Sequence, residues 1–220
     1  MVASLIDALA RAYGEAPAVL SDPYAIVLHE NAGYLVDDDR RDALYARLVE
    51  LAPNPVALLA ADREELMPVA RDGGMRPDER IARWRAIAEI TLEHADGDLL
   101  ATLRALPLAG AKKLLARYPA IGTPGVDRIF LFAGVAAVPS VDSNGLRVLE
   151  RYGAVAAGQP YARGYRDACA KLGVAFRDDG LALRRAYLLL RRHGKTICRR
   201  ARPECSRCAV RATCPSSIAG

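Results

Sequence analysis

Apolar residues recur three or four positions apart along most of the chain, which is the spacing of one face of an α-helix. In residues 2–14, for example, Leu5, Ile6 and Leu9 fall on the same helical face. No stretch alternates apolar and polar residues for long enough to indicate a half-exposed β-strand. The pattern therefore predicts an all-α protein.

Capping residues, prolines and glycines divide this pattern into short helices. Asp22-Pro23 places a capping side chain before a proline, which is a frequent helix start. Gly73-Gly74 forces a turn between two helical segments. The predicted helices span residues 2–14, 24–31, 38–52, 55–61, 63–71, 77–94, 99–105, 108–118 and 124–134, and another follows residue 142.

The composition is that of a folded protein. The chain has 220 residues, of which 52% are hydrophobic and 26% are charged, so it has enough apolar surface to form a core. No apolar run reaches the roughly 18 residues that cross a bilayer, and the first residues, which include Asp7, lack the pattern of a signal peptide. We expect a cytoplasmic protein with no membrane partner.

Four of the five cysteines are close together near the C-terminus, at the spacing C-x6-C-x2-C-x5-C. Clustered thiolates select zinc or an iron–sulfur cluster over harder cations. Structural zinc sites usually pair two C-x2–4-C hooks, and only one such hook is present here. The irregular spacing fits a [4Fe–4S] cluster better, with zinc as the alternative. The candidate ligands are Cys198, Cys205, Cys208 and Cys214.

Positive charge is concentrated in the same segment. The whole chain carries a net charge of +5, but residues 191–211 contain eight Lys or Arg and a single acid, Glu204. Arginines grouped beside a rigid loop are typical of surfaces that neutralise nucleic-acid phosphates, and a solvated basic tail is the alternative. The arginines expected to contact nucleic acid are Arg199, Arg200, Arg202 and Arg207.

The cysteine segment has a recognisable pattern. The run His193-Gly194, Ile197-Cys198-Arg-Arg, Pro203-x-Cys205-x-x-Cys208 and Cys214 resembles the iron–sulfur loop of the endonuclease III branch of helix-hairpin-helix DNA glycosylases. The resemblance extends over roughly residues 20–215. It implies a six-helix barrel lobe, 22–133, and a cluster lobe formed by 1–21 and 134–220, which carries the loop 198–214. Double-stranded DNA would bind in a cleft between the lobes.

Residues 119–125, Pro-Ala-Ile-Gly-Thr-Pro-Gly, resemble the hairpin of the same superfamily. Backbone N–H groups at Gly122, Thr123 and Gly125 would then bind a DNA phosphate at the start of the next helix, although an ordinary helical hairpin is the alternative. Ala120 departs from the family, which usually has glycine there. Pro124 stands where bifunctional members carry the lysine that forms a Schiff base.

Asp142 precedes a helix with regular apolar spacing, so its simplest role is that of an N-cap. A capping carboxylate stays ionised beside the helix dipole. The resemblance implies a catalytic role, because the family's catalytic aspartate has the same Val-Asp-x4-Arg-Val context. It would stabilise positive charge on the deoxyribose as the base leaves, and would orient the attacking water.

The resemblance also places a base pocket at the end of the second helix, because such enzymes extrude the target nucleotide from the stack. Pro23-Tyr24 and Glu30 match the Pro-Tyr-x5-Glu context of the mismatch-specific branches, so Glu30 would donate a proton to the leaving base. A polar residue at a helix end is the alternative. The residues expected to line the pocket or fill the gap in the duplex are His29, Asn31, Tyr34 and Leu35.

The resemblance implies a monofunctional glycosylase that hydrolyses the N-glycosidic bond of a damaged or mispaired base, as a monomer associated with the nucleoid. Two alternatives stay open. One is a bifunctional glycosylase/AP lyase that uses another amine, and the other is a non-catalytic DNA-binding protein with the same fold. The motifs fit several mispaired or damaged bases equally well.

Overall fold

The computed structural model describes residues 1–14, 18–177 and 179–217, and its regular elements there are all helices. This confirms the predicted fold class. The α-helices are α1 Val2–Tyr13, α2 Pro23–Glu30, α3 Asp38–Leu51, α4 Pro55–Ala60, α5 Arg63–Asp72, α6 Pro77–Ala95, α7 Leu99–Ala105, α8 Leu108–Leu115, α9 Thr123–Phe132, α10 Ser143–Arg151, α11 Tyr161–Phe176 and α12 Gly180–Thr196. Two short 3-10 helices, Cys205–Arg207 and Arg211–Thr213, lie in the cysteine segment.

The helices begin where the local chemistry predicts. A side-chain oxygen of the preceding residue accepts a hydrogen bond from the first turn of α2, α3, α4, α7, α10 and α12. Proline occupies the first turn of α2, α4, α6 and α9, where its missing N–H is not needed. Within residues 1–14, 18–177 and 179–217, none of the helices has the length and apolar character of a membrane-spanning segment.

The chain divides into two compact units. The central unit is Leu20–Val135, and the discontinuous unit joins Met1–Val19 to Ala136–Gly220. The core of the central unit includes Trp84, Ile87 and Leu115, which are fully buried. The core of the discontinuous unit includes Leu5, Leu9 and Leu190, which are equally buried. Each unit therefore has its own apolar core.

In the central unit, two buried polar side chains fix the end of α2 and the turn after α5. The indole Nε1 of Trp84 donates to the carbonyl of Asn31 at 3.0 Å. The guanidinium of Arg80 is buried and donates to the carbonyls of Ala70, Gly74 and Met75. A buried guanidinium is tolerated because backbone oxygens satisfy its N–H groups.

In the discontinuous unit, α10 packs closely against α12. A Cβ atom at Gly194 would stand 2.6 Å from the carbonyl oxygen of Asn144, which is shorter than any real contact. Glycine is therefore required at this crossing, because only the absence of a side chain lets the two helices approach. The crossing lies one turn or less from Asp142, so it also positions the predicted catalytic residue.

Candidate active site and cysteine cavity

Asp142 is the N-cap of α10, as the sequence predicts. Its Oδ1 atom accepts a hydrogen bond from the backbone N–H of Gly145 at 2.7 Å, and its Oδ2 atom accepts one from the Asn144 amide at 3.0 Å. The Nε atom of Arg191 on α12 lies 3.5 Å from Oδ2. The side chain is 20% exposed. The carboxylate is thus held by two hydrogen bonds and one ion pair, and still reaches solvent.

Two neighbours of Asp142 come from distant parts of the chain and were missed by sequence reasoning. Arg191 is one. Tyr161 is the other, in the sense that the charge of Asp142 acts on its phenol. Its ring stacks on that of Tyr165, with centroids 6.2 Å apart, and Tyr165 donates to Ser140 Oγ at 3.4 Å. Partial burial and then the charge of Asp142 raise the pKa of the Tyr161 phenol. The sequence contains no signal that Arg191 meets Asp142, because only the packing of α12 against α10 brings the two side chains together.

Arg147 on α10 links Asp142 to the cysteine segment. Its Nη2 group donates to Asn144 Oδ1 at 3.0 Å and to the carbonyl of Gly194 at 2.7 Å. Its Nε group donates to the carbonyl of Cys198 at 3.0 Å. A continuous set of hydrogen bonds therefore runs from Asp142 through Asn144 and Arg147 to the first cysteine.

Arg151, one turn further along α10, holds the start of the cysteine segment. It donates to the carbonyls of Arg199 and Arg200 at 2.8 and 2.9 Å. Its Nη1 group also lies 3.4 Å from the Cys198 sulfur. The helix that Asp142 caps therefore ends at Arg151, the residue that anchors this segment.

The four clustered cysteines line one cavity. About 450 Å³ of space, part of it open to solvent, lies between them and the apolar side chains of Val148, Ile197 and Val210. All four thiols are free of disulfides. Burial raises the pKa of the Cys208 thiol, and the charges of the other three cysteines act in the same direction.

His193 lies at the wall of this cavity and connects it to α1. Its Nε2 atom is 3.5 Å from the Cys208 sulfur, and its Nδ1 atom is 2.6 Å from the hydroxyl of Tyr13. Burial lowers the pKa of His193 to about 4, so the ring is neutral near pH 7. A neutral imidazole has one donor and one acceptor. A hydroxyl that donates to Nδ1 therefore leaves the Nε2–H group for Cys208.

The cavity has the chemistry of a metal centre without the geometry of a single-ion site. Within residues 1–14, 18–177 and 179–217, no group of three or more His, Cys, Asp or Glu side chains is arranged to hold a metal ion. The [4Fe–4S] cluster therefore stays a prediction. The donor set nevertheless fits one, because four thiols share a cavity and N–H groups of Arg151 and His193 face two of the sulfurs.

Glu30 ends α2 and pairs with Arg128 on α9, with 2.7 Å between Oε1 and Nη2. Burial works to raise the pKa of this carboxyl, but the charge and hydrogen bond of Arg128 outweigh it, and the net effect lowers the pKa. A carboxylate that stays ionised is a poor proton donor. The ion pair therefore does not favour the predicted role of Glu30 in protonating the leaving base.

The predicted pocket residues have different surroundings. The Nε2 atom of His29 lies 2.6 Å from Asp42 Oδ1. Asn31 is buried, and its amide donates to the carbonyls of Val27 and Pro119 at 3.0 and 3.1 Å, so it ties α2 to the hairpin. Asn31 thus has a structural role in addition to any contact with a base.

Tyr34 and Leu35 follow α2 and point into solvent, with 55% and 81% of their surfaces exposed. The backbone N–H of Tyr34 donates to the carbonyl of Gly73 at 2.9 Å. Leu35 has a φ angle of 55°, in the left-handed region that side chains rarely adopt. Two large apolar side chains are therefore held outward on an anchored backbone.

The hairpin joins α8 to α9. Gly122 is the N-cap of α9, both Gly122 and Thr123 are exposed, and Pro124 occupies the first turn. Ala120 has a φ angle of 59°, the conformation that glycine adopts most easily. The departure from the family at Ala120 thus falls at a position where the backbone favours glycine.

The four predicted DNA-binding arginines fall into two pairs. Arg199 and Arg207 both form ion pairs with the carboxylate of Glu204. Arg200 and Arg202 are exposed, and their side chains form no ion pair with a carboxylate in the described part of the chain. The structure thus brings Asp142, the cysteines and these arginines into the discontinuous unit. The central unit holds Glu30, the pocket residues and the hairpin.

Comparison with known proteins identifies the fold. Neither a family model nor a curated protein matches the sequence. An endonuclease III trapped as a covalent intermediate with DNA, in an estranged-adenine complex, aligns with a TM-score of 0.78 at 16% identity, over 99% of this chain and 97% of that one.

Two further solved structures align almost as well. A thermostable thymine-DNA glycosylase gives a TM-score of 0.77 at 17% identity, over 98% of this chain and 94% of that one. A non-covalent complex of endonuclease III with DNA gives 0.77 at 16% identity, over 97% and 94%. The chain therefore has the endonuclease III fold along nearly its whole length, as the sequence resemblance implies.

Proposed function

We propose that this chain is a base-excision repair DNA glycosylase that hydrolyses the N-glycosidic bond of a damaged or mispaired base in double-stranded DNA, acting as a monomer. The observation that carries the proposal is Asp142, a carboxylate held by two hydrogen bonds and an ion pair yet open to solvent, on an endonuclease III fold. Two of the similar structures are DNA complexes and the third is a thymine-DNA glycosylase, which supports the substrate class.

The surroundings of Asp142 suit this chemistry. Positive charge develops on the sugar as the base departs, and a fixed anion stabilises that charge most when it is already oriented. The N–H of Gly145, the amide of Asn144 and the guanidinium of Arg191 orient the carboxylate in advance. Asp142 would also orient the water that attacks the sugar.

DNA binding is assigned to three sets of groups. The backbone N–H groups of Gly122, Thr123 and Gly125, at the start of α9, suit a backbone phosphate. Arg200 and Arg202 add exposed positive charge. Tyr34 and Leu35 have the exposure and apolar character needed to fill the gap that an extruded nucleotide leaves.

Glu30 is assigned a different part in the reaction from the one the sequence predicts. Because Arg128 keeps it ionised, we assign it as an acceptor for N–H groups of the extruded base. His29 and Asn31 are the polar residues next to it along α2 and its end.

The four cysteines of the cavity are proposed to hold a [4Fe–4S] cluster, with zinc as the alternative. A bound cluster would cross-link the segment from Cys198 to Cys214 into a rigid surface. The chain's own contribution is the anchoring of that segment by Arg147 and Arg151.

A bifunctional glycosylase/lyase is the second candidate, since one of the similar structures is a covalent intermediate with DNA. Pro124 argues against it, because no amine is available at that position of α9. Lys112 on α8 is directed to Asp127, with 3.6 Å between Nζ and Oδ1. Trapping a protein–DNA adduct with borohydride would establish the lyase route, and the absence of an adduct would favour hydrolysis.

The central experiment is a panel of duplexes, each with one lesion or mispair, scored for abasic sites with and without alkali. We expect Asp142→Asn to lower the single-turnover rate of base release about 100-fold or more, because it removes the anion but keeps the cap. Asp179→Asn, at the N-cap of α12, is the matched control and should retain activity. Base release by no duplex, or full activity of Asp142→Asn, would contradict the proposal.

A further inference from the structure

Glu204 occupies an unexpected place in the basic segment. It is the only acid between residues 191 and 211, and its carboxylate pairs with both Arg199 and Arg207. The Glu204 side chain is 26% exposed, whereas those of Arg199 and Arg207 are 53% and 72% exposed. The carboxylate is thus covered by two guanidinium groups that keep most of their own surface in solvent.

Two backbone hydrogen bonds fix the main chain at Glu204. The N–H of Glu204 donates to the carbonyl of Ile197 at 2.9 Å, and its own carbonyl accepts from the N–H of Arg207 at 3.0 Å. Glu204 directly precedes the 3-10 helix Cys205–Arg207. Glu204 is therefore part of the ordered backbone of the segment, and its side chain contacts both Arg199 and Arg207.

Carboxylates and phosphates bind arginine through the same donors. A phosphate that approaches Arg199 or Arg207 must share or displace the Glu204 carboxylate, whereas a phosphate that approaches Arg200 or Arg202 meets no such competitor among the described residues. Exposed ion pairs are weak, so the displacement is feasible but reduces the net gain.

We propose that Glu204 competes with DNA phosphates for Arg199 and Arg207, and so limits the affinity of the cysteine segment for the duplex. The inference rests on the proposed DNA-binding function and deepens it. Arg200 and Arg202 would then contribute fully to phosphate binding. The Glu204 carboxylate would reduce the contribution of Arg199 and Arg207.

The test measures the dissociation constant of an undamaged labelled duplex for wild type and Glu204→Gln, between about 50 and 200 mM salt. We expect Glu204→Gln to bind about tenfold more tightly at the lower salt concentration, with a salt slope steeper by about one to two, since each added phosphate contact contributes about 0.9. Asp7→Asn on α1 changes the net charge equally and should give neither effect.

The outcomes separate the two proposals. A wild-type protein that binds no duplex contradicts the proposed function. A wild-type protein that binds, with Glu204→Gln no tighter than Asp7→Asn, overturns the inference alone. Should Glu204→Gln fail to fold, the variants Arg202→Gln and Arg207→Gln provide the test. We expect Arg202→Gln to weaken DNA binding severalfold more than Arg207→Gln does. Equal losses of affinity in the two variants would overturn the inference. Iron content per chain is measured for each variant to exclude damage to the cysteine cavity.

Discussion

Asp142 and Glu30 are both carboxylates at helix ends, and their neighbours give them different properties. Asp142 at the start of α10 accepts hydrogen bonds from its own helix and forms an ion pair with Arg191 of α12. Glu30 at the end of α2 lies where the helix dipole disfavours an anion, and the ion pair with Arg128 compensates. The role of each residue in the reaction follows from these partners more than from its type.

The Glu30–Arg128 pair predicts a pH-dependent stability. Because the folded-state pKa of Glu30 is lowered, the pair stabilises the fold above the unfolded pKa of about 4.3, and this stabilisation is lost as the pH falls through the folded pKa. We expect Arg128→Gln to reduce the free energy of unfolding by about 1–3 kcal/mol at pH 7, and by less in acid. Urea unfolding at both pH values measures this.

The exposed pair Arg76–Glu79 at the start of α6 provides the control. Arg76→Gln should cost less than about 1 kcal/mol, because water already screens that pair. An equal loss for Arg128→Gln at neutral and acid pH would show that packing of the Arg128 side chain, and not its charge, is what matters.

Among the elements, the hairpin between α8 and α9 carries a conformational cost. Its residue Ala120 adopts a left-handed backbone angle, which costs a side-chain-bearing residue about 1–2 kcal/mol. Neighbouring contacts hold the hairpin in this conformation. The Asn31 amide donates to the carbonyl of the preceding Pro119, and α9 begins only three residues after Ala120. The turn is therefore determined by its neighbours as much as by its own sequence.

This predicts an unusual gain from glycine. Ala120→Gly should raise the free energy of unfolding by about 0.5–1 kcal/mol, after subtraction of the extra freedom that glycine gives to the unfolded chain. Ala116→Gly, where φ is −67°, should lower it by a similar amount. Urea denaturation of both variants compares them directly, and a loss at both positions would refute the assignment of strain to Ala120.

At the scale of the whole molecule, each compact unit contains part of the predicted machinery. The discontinuous unit has Asp142 and the cysteine cavity, and the central unit has Glu30 and the hairpin. The endonuclease III fold is reached at only 16% identity. The architecture is therefore shared although few residues are identical, because cores tolerate many side-chain combinations when volume and patterning are kept.

The cysteine cavity predicts the metal content of the whole protein. We expect material purified without oxygen to hold about four iron and four sulfide per chain, as a [4Fe–4S] cluster requires. Cys208→Ser should lose most of the iron, whereas Cys169→Ser, which alters the cysteine outside the cavity, should keep it. Elemental analysis checks both, and stoichiometric zinc without sulfide in the wild type would contradict the cluster.

The sequence by itself determined the features that depend on neighbours along the chain. Helix bounds follow from apolar spacing and caps within four residues, and the capping position of Asp142 follows from the same local rule. The cysteine spacing places the four thiols in one short segment, and the structure gathers them around one cavity. These predictions required no knowledge of how the helices pack.

Only the tertiary structure decided which side chains meet across the chain. Arg191 at Asp142, Arg128 at Glu30 and Tyr13 at His193 are contacts between helices far apart in sequence. Such pairs depend on the angle and distance at which helices cross, and periodicity along one helix contains neither quantity. For this reason the sequence could propose Glu30 as a proton donor, and only the packing of α9 against α2 revealed the arginine that keeps it ionised.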